Sequence, residues 1–345
     1  MISGADDYPH PVPPQAFMTW KENWVFPAID PRTRVASLFH FSLRPGLGEG
    51  IFSAKFAIGD FAHTYVGRSP VPADLPAFHP VADERLSFSV VDPGRSFRIL
   101  YASDELDAAI DYEARFPAFD FEDGPPAPET SDLGEIGRHV FPFHHYEQAL
   151  THSGQILVKT GDLAGQRFDV SGYANRDHSW GWRDDFGFRY HHWLCASFSD
   201  RYVGGAMMRE VHYPSGPKHG GFVASERGVD PVVEVRPPKS GWPTENMLLP
   251  DLRGDVTYDV VSTLGSVEQV TVHLDRRYGR LHLDARAPDR VRSYQDVLTF
   301  CDATLRSTGE TGTAVLEIGT YLEGSELVEQ ARAQSRRRRA GAGAQ

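Results

Sequence analysis

The stretch Phe188-Arg189-Tyr190-His191-His192-Trp193-Leu194-Cys195-Ala196-Ser197-Phe198 decides the fold. Phe188, Tyr190, His192, Leu194, Ala196 and Phe198 recur at every second position, the spacing that sends alternate side chains to opposite faces of a sheet. The same period extends in both directions from it. Upstream, Phe52, Ala54, Phe56 and Ile58 alternate with Ile51, Ser53, Lys55 and Ala57, and Ile110, Tyr112, Ala114 and Phe116 alternate with Asp111, Glu113 and Arg115. Downstream, similar runs cover 203–211, 256–261, 270–274, 294–300 and 313–318. Turn residues separate them, as in Asp92-Pro93-Gly94, Thr160-Gly161-Asp162 and Ser307-Thr308-Gly309. Helical periodicity is confined to 325–333 (SELVEQARA), with weaker suggestions at 105–110 and 135–138.

Short strands without covering helices bury one face by closing into barrels or pairing as sandwiches. A chain of 345 residues is long enough for two such domains. The pattern therefore predicts an all-β protein of two antiparallel β-barrels packed together with a short C-terminal helix. The expected divisions are an N-terminal arm at 1–19, barrels at 20–183 and 184–323, and the helix followed by a disordered Arg-rich tail at 324–345.

Composition narrows the function classes. Hydrophobic residues make up 40% and charged residues 24%, which excludes a disordered chain or a charged filament. A net charge of -12 argues against a partner with a phosphate backbone, so no nucleic acid is expected. The two cysteines, Cys195 and Cys301, are too few for a disulfide framework and fit a reducing compartment. The N-terminus lacks the basic and then apolar stretch of a signal peptide, and nothing approaches the length of an apolar membrane span. A cytoplasmic protein, compatible with a homodimer, is the expectation. No GxxxxGK[ST], GxSxG or HExxH occurs, and no nicotinamide, flavin, nucleotide or metal cofactor is expected.

Chemistry is densest between Tyr173 and Asp185, where two Arg, three Asp, one His and two Trp fall within thirteen residues, next to an alternating strand on each side. In an extended segment Asp177, Ser179 and Gly181 point one way, and Arg176, His178, Trp180 and Trp182 the other.

Arg176-Asp177-His178-Ser179-Trp180-Gly181, followed by Arg183, resembles the RDHSWG motif of the lipocalin-like superfamily that includes the carotenoid 1,2-hydratases (hydroxyneurosporene synthases) and the AttH-like proteins. Glu22-Asn23-Trp24, Tyr146-Glu147-Gln148, and Gly309 and Gly312 leading to Glu317 extend the resemblance over most of the chain. The resemblance implies two lipocalin-like barrels and cofactor-independent lyase or isomerase chemistry: hydration, dehydration, cyclisation or C–C cleavage of an apolar substrate. The hydratases' His-x-Trp falls on His178 and Trp180. Their Tyr-x-Asp is met only by Asp200 and Tyr202, in reversed order.

Protonating an alkene or ionising an allylic alcohol needs an acid sheltered from water and a ring face to steady a cation. Asp177, His178 and Trp180 are the expected catalytic residues. Tyr146, Glu147, Arg176, Trp182, Tyr190, His192 and Phe198 are the expected lining for a hydrophobic terpenoid, polyene or aromatic substrate. Two other readings stand beside this one: a carrier that binds such a molecule without changing it, and a purely structural use of the motif. A metal held by His192, His178 and Glu147 is the weakest of the readings.

Overall fold

Turn residues set the strand ends in the computed structural model, which describes residues 2–76, 78–127, 134–183, 187–211, 213, 216–238, 246–283, 285–286, 291–331 and 333. Asp30 is an example. Its Oδ1 accepts the backbone N–H of Arg32 at 2.8 Å and of Thr33 at 3.2 Å, closing the first hairpin, while Oδ2 accepts Ser171 N–H at 3.0 Å. Gly94 takes φ +75 in the turn after Asp92, a conformation that a side chain disfavours.

The first sheet contains β1 (Trp20–Asp30), β2 (Val35–Arg44), β3 (Glu49–Ile58), β4 (Phe61–Pro70), β5 (Val81–Ala82), β6 (Leu86–Asp92), β7 (Ser96–Ala102), β8 (Leu106–Ala114), β9 (Phe119–Asp120), β10 (His144–Val158) and β11 (Arg167–Trp182). The antiparallel order is β4-β3-β2-β1-β11-β10-β8-β7-β6-β5, with β9 beside β10. The ends of this path face each other. From β4, His63 Nε2 lies 2.8 Å from Tyr101 Oη of β7, and Tyr65 Oη donates to Asp83 at 2.8 Å just after β5. The sheet thus curls around one core, in which Trp24, Phe26, Phe39, Phe41, Phe52, Phe56 and Phe97 are buried. Each such ring contributes about 1.5–3 kcal/mol by leaving water.

The second sheet contains β12 (Phe188–Ser197), β13 (Arg201–Glu210), β14 (Lys218–Ser225), β15 (Gly228–Arg236), β16 (Asp255–Ser262), β17 (Val267–His282), β18 (Ala285–Arg286), β19 (Arg292–Leu305) and β20 (Glu310–Glu323). Its order is β17-β16-β15-β14-β13-β12-β20-β19-β18, and β17 also pairs with β19, so the path closes on itself. Register shifts near Arg277 mark the closure, where bulges add the bend a barrel needs. Leu194, Ala196, Phe198, Val260, Val272, Leu316 and Ile318 belong to the core it encloses.

The all-β expectation holds, as does the short helix: residues 325–331 are helical, Val328 N–H bonds Gly324 O at 3.0 Å, and Val328 and Ala331 pack on Leu322. The two weaker helical suggestions do not form α-helices. Residues 106–114 are strand, because the alternation of Leu106, Ala108, Ile110 and Tyr112 outweighs local propensity, and Ile136–Arg138 is one 3-10 turn. Among the described residues, no helix is long and apolar enough to cross a membrane. The expected tail at 334–345 lies outside the described residues, as do Asp184, Asp185 and parts of the long loops near 128–133 and 239–245.

By its internal contacts the chain divides into two units: Met1–Asp123, Phe143–Arg183 and Glu226–Val229 form one, and Gly124–Pro142, Asp184–Ser225 and Asp230–Gln345 the other.

Candidate functional site

Within the first unit, β11 runs between β1 and β10, which places the Arg176–Gly181 motif between two other motif segments. His178 stands opposite Trp24 on one side and Tyr146 on the other; Trp180 stands opposite Glu22 and His144. Cross-strand partners share a face, so His178, Trp24 and Tyr146 all point to the side on which Phe26, Ala174 and Leu150 build the core. Asp177 stands opposite Glu147 and Val25 and faces the other way. That outer face is buried too, at His145, Glu147, Asp177 and Ser179, with His145 Nε2 3.2 Å from Glu147 Oε1.

The inner-face cluster is a hydrogen-bonded chain. Glu22 Oε1 lies 2.8 Å from His178 Nε2 and 2.7 Å from His10 Nδ1, while Oε2 accepts His10 N–H at 2.9 Å. His178 Nδ1 is 3.3 Å from Tyr146 Oη. Tyr146 donates to Asp7 Oδ1 at 2.8 Å and accepts from Arg176 Nη1 at 3.0 Å; Arg176 also pairs with Asp7 Oδ1 at 2.6 Å. Rings wall the chain: Trp24 stacks on His178 at 4.3 Å, Trp180 lies 5.0 Å away, and His10 lies flat on Trp180 at 3.8 Å and 9°. The N-terminal arm, with short 3-10 turns at Gly4–Asp7 and Pro14–Thr19, thereby covers the cluster with Asp7 and His10.

Burial and pairing set opposite charge states within this chain. Burial alone would raise the Glu22 carboxyl, but the hydrogen bonds of His10 and His178, and the charge either ring carries when protonated, hold it below its ordinary value. Burial would lower His10, yet Glu22 and then Asp6 outweigh it and raise its pKa, so His10 holds a proton more readily than a free imidazole. For His178 burial prevails over the pull of Glu22 and its pKa falls, so the ring is neutral. A neutral ring that donates from Nε2 to an ionised Glu22 carries its lone pair on Nδ1, on the side of Tyr146, whose single proton then has two acceptors in reach, Asp7 Oδ1 at 2.8 Å and His178 Nδ1 at 3.3 Å. Burial pushes the Tyr146 phenol well up, which keeps its proton on.

The structure therefore brings Tyr146, Arg176, His178 and Trp180 together and sets Asp177 and Glu147 on the opposite face. Trp182 stands opposite Trp20 at the end of β11. Tyr190, His192 and Phe198 belong to the second unit, where they face the interior of its barrel: Phe198 is core, and His192 Nδ1 is 3.3 Å from Tyr258 Oη. In the weak metal reading, Glu147 and His178 point to opposite faces, and donor geometry groups His178 with His10 and Glu22 instead.

Sequence reading missed Asp7 and His10, which lie in the Pro-rich arm without any periodicity to flag them. Glu22 was visible only as part of its motif. A second polar cluster was missed as a unit: in the second unit, His191 Nδ1 is 2.8 Å from Tyr294 Oη and Nε2 is 3.1 Å from Glu317 Oε1. Burial raises Glu317 to about 7 against a smaller opposing hydrogen bond from Asp296.

The family model described as Domain of unknown function (DUF7064) matches residues 3–238. No curated protein matches the sequence. Several solved structures share the fold. Kievitone hydratase from Nectria haematococca aligns with a TM-score of 0.54 at 11% identity, over 86% of this chain and 88% of that one. An AttH-like protein (NE1406) from Nitrosomonas europaea aligns with 0.59 at 14%, over 91% and 95%. CghA with Sch210972 aligns with 0.58 at 11%, over 92% and 94%. The resemblance carried by the RDHSWG motif thus extends to the fold of hydratase and AttH-like proteins, and at these identities it is the fold that is shared.

Proposed function

The chain belongs to the DUF7064 family, and from that footing we propose that it is a cofactor-independent lyase or isomerase using acid–base chemistry on a hydrophobic terpenoid, polyene or aromatic molecule. The observation that carries this is the Glu22–His178–Tyr146 chain buried among Trp24 and Trp180. A carboxylate orienting an imidazole whose free nitrogen meets a hydroxyl is an arrangement for moving a proton at a defined atom. Its low-dielectric surroundings strengthen each electrostatic contact. Trp180 offers a negative ring face for a developing cation, a face that the His10 ring occupies in the covered state. A substrate would take His10's place on that face, so opening of the arm precedes binding. The name of one structural neighbour, kievitone hydratase, is in keeping with hydro-lyase chemistry.

A carrier is the second reading, favoured by the closed hydrogen bonding of the cluster and by the buried Arg176–Asp7 pair. Incubating the purified protein with metabolite extracts and following them by untargeted mass spectrometry separates the two. Time-dependent conversion of one compound supports the enzyme. A compound retained unchanged on the protein supports the carrier and defeats the enzyme reading. Once a substrate is in hand, Trp180→Phe should keep more turnover than Trp180→Ala, because a ring face survives.

A further inference from the structure

Three strands of the second unit bring a histidine and two carboxyl groups to one level. His191 of β12 and Asp296 of β19 both stand opposite Gly319 of β20, and Glu317 lies two residues before that glycine on the same face. This is the outer face of the barrel, since Leu316 and Ile318 point into the core. The glycine makes the room: a Cβ at 319 would fall 2.3 Å from His191 Cε1 and 2.6 Å from the Tyr294 ring. Tyr294 stacks on His191 at 5.8 Å and 17°, with its hydroxyl on Nδ1. The imidazole is thereby fixed with Nε2 toward the carboxyl groups, 3.1 Å from Glu317 Oε1 and 3.7 Å from Asp296 Oδ1.

The geometry points to a binding site for one divalent transition-metal ion of the Zn2+ type, held by His191 Nε2 and an oxygen each from Asp296 and Glu317. Bonds of about 2.0–2.1 Å in a tetrahedral site place neighbouring donors about 3.3 Å apart. The two measured separations bracket that value. In the first unit, by contrast, His10 and His178 crowd one Glu22 oxygen at 2.7 and 2.8 Å, well short of the separation that donors around one tetrahedral ion keep. One imidazole with two carboxylates suits zinc or its first-row neighbours better than calcium or magnesium, which prefer oxygen throughout. Metal-ligating histidines usually have their other ring nitrogen fixed by an oxygen, and Tyr294 Oη supplies it. Two carboxylates balance a dication, and three protein donors leave a fourth position for water or another ligand.

The test uses the full chain, stripped with EDTA, dialysed, and titrated with ZnCl2 by calorimetry. The wild type is expected to bind one tight equivalent above any weak background from its 15 histidines. Glu317→Gln and Asp296→Asn should each weaken that equivalent at least about tenfold, and Tyr294→Phe, which keeps ring and charges, by roughly tenfold. Titration with CoCl2 adds a readout that needs no variant, since four-coordinate Co2+ gives intense visible bands. Absence of a tight equivalent overturns the site, as does an isotherm unchanged in all three variants. Loss in Glu22→Gln with retention in Glu317→Gln would place the ion in the first unit and overturn it equally.

Discussion

The two histidine–carboxylate clusters use the same residue types to opposite ends. In the first unit two histidines converge on one carboxylate, Glu22, and their hydrogen bonds keep it ionised although it is fully buried. In the second unit one histidine meets two carboxyl groups, and burial raises Glu317 to about 7 and lowers His191, so both groups are pushed toward their neutral forms. The count of donors against acceptors makes the difference. Where N–H groups outnumber carboxylates a buried acid stays charged, and where carboxylates are in excess one must take a proton or share a cation.

That comparison is broken most directly by Arg176→Ala. It leaves Asp7 buried without its cation, a change that costs about 3–5 kcal/mol. A fall of roughly 10 °C in Tm is the expected result. Tyr294→Phe, the corresponding probe of the second cluster, removes one hydroxyl and should cost about 1 kcal/mol in metal-free protein, or a few degrees. Equal shifts from the two variants, measured by calorimetry, would mean that the buried Arg176–Asp7 pair is worth no more than a single hydroxyl.

The next effect concerns turnover and sharpens the inner-face assignment. His178→Ala should lower it by about 10²-fold or more, the size of a lost general acid or base. Asp177→Asn, on the opposite face, should lower it less than about tenfold. Were Asp177→Asn the more damaging, with both variants folded, the chemistry would belong to the outer face with Glu147 and His145.

A smaller change is expected from His10→Ala. It clears the face of Trp180 and should tighten binding of a planar apolar probe by severalfold, read by quenching of tryptophan fluorescence. Unchanged affinity would show that the covered face of Trp180 is not where such ligands bind.

The legibility of all this in the sequence was uneven for physical reasons. Period two is a property of the backbone, so Phe188–Phe198 and its counterparts announced sheets, and the short helix stood out because Leu327, Val328 and Ala331 break that period. Which strands pair is another matter. That β1 lies beside β11, bringing Glu22 to His178 across more than 150 positions, is tertiary information no local pattern carries. The motif resemblance supplied part of it by naming Glu22-Asn23-Trp24 and Arg176–Gly181 together. The arm was illegible because Asp7 and His10 act through single side chains in an irregular segment. His191 and Glu317 were each noticed, but only the register across Gly319 unites them.

The smallest effect is the pH dependence of the arm, and its sign can be worked out. His10 faces Glu22, Asp6 at 3.3 Å, the His178 ring at 5.5 Å and the Trp180 ring. Burial lowers its pKa, but Glu22 and Asp6 outweigh burial, so the folded value lies above the ordinary 6.5. A group with a raised folded pKa contributes its full stabilisation below 6.5 and loses it as pH rises through the folded value. Glu22, held below its ordinary 4.5, contributes fully above 4.5 and loses its share as pH falls through its own folded value. His178, with a lowered pKa, works against His10 by favouring the fold as pH rises from its folded value up to 6.5, but it sits on β11 and leaves the arm's own attachment to His10. The arm is thus held best between about 4.5 and 6.5 and loosens above that. Limited proteolysis from pH 5.5 to 8.5, normalised to a peptide substrate, should show arm cleavage accelerating as pH climbs past 6.5. In His10→Gln, which keeps a hydrogen-bonding side chain but cannot titrate, the normalised rate should be flat. A wild-type rate that falls over the same range would mean that His178, not His10, governs how the arm is held.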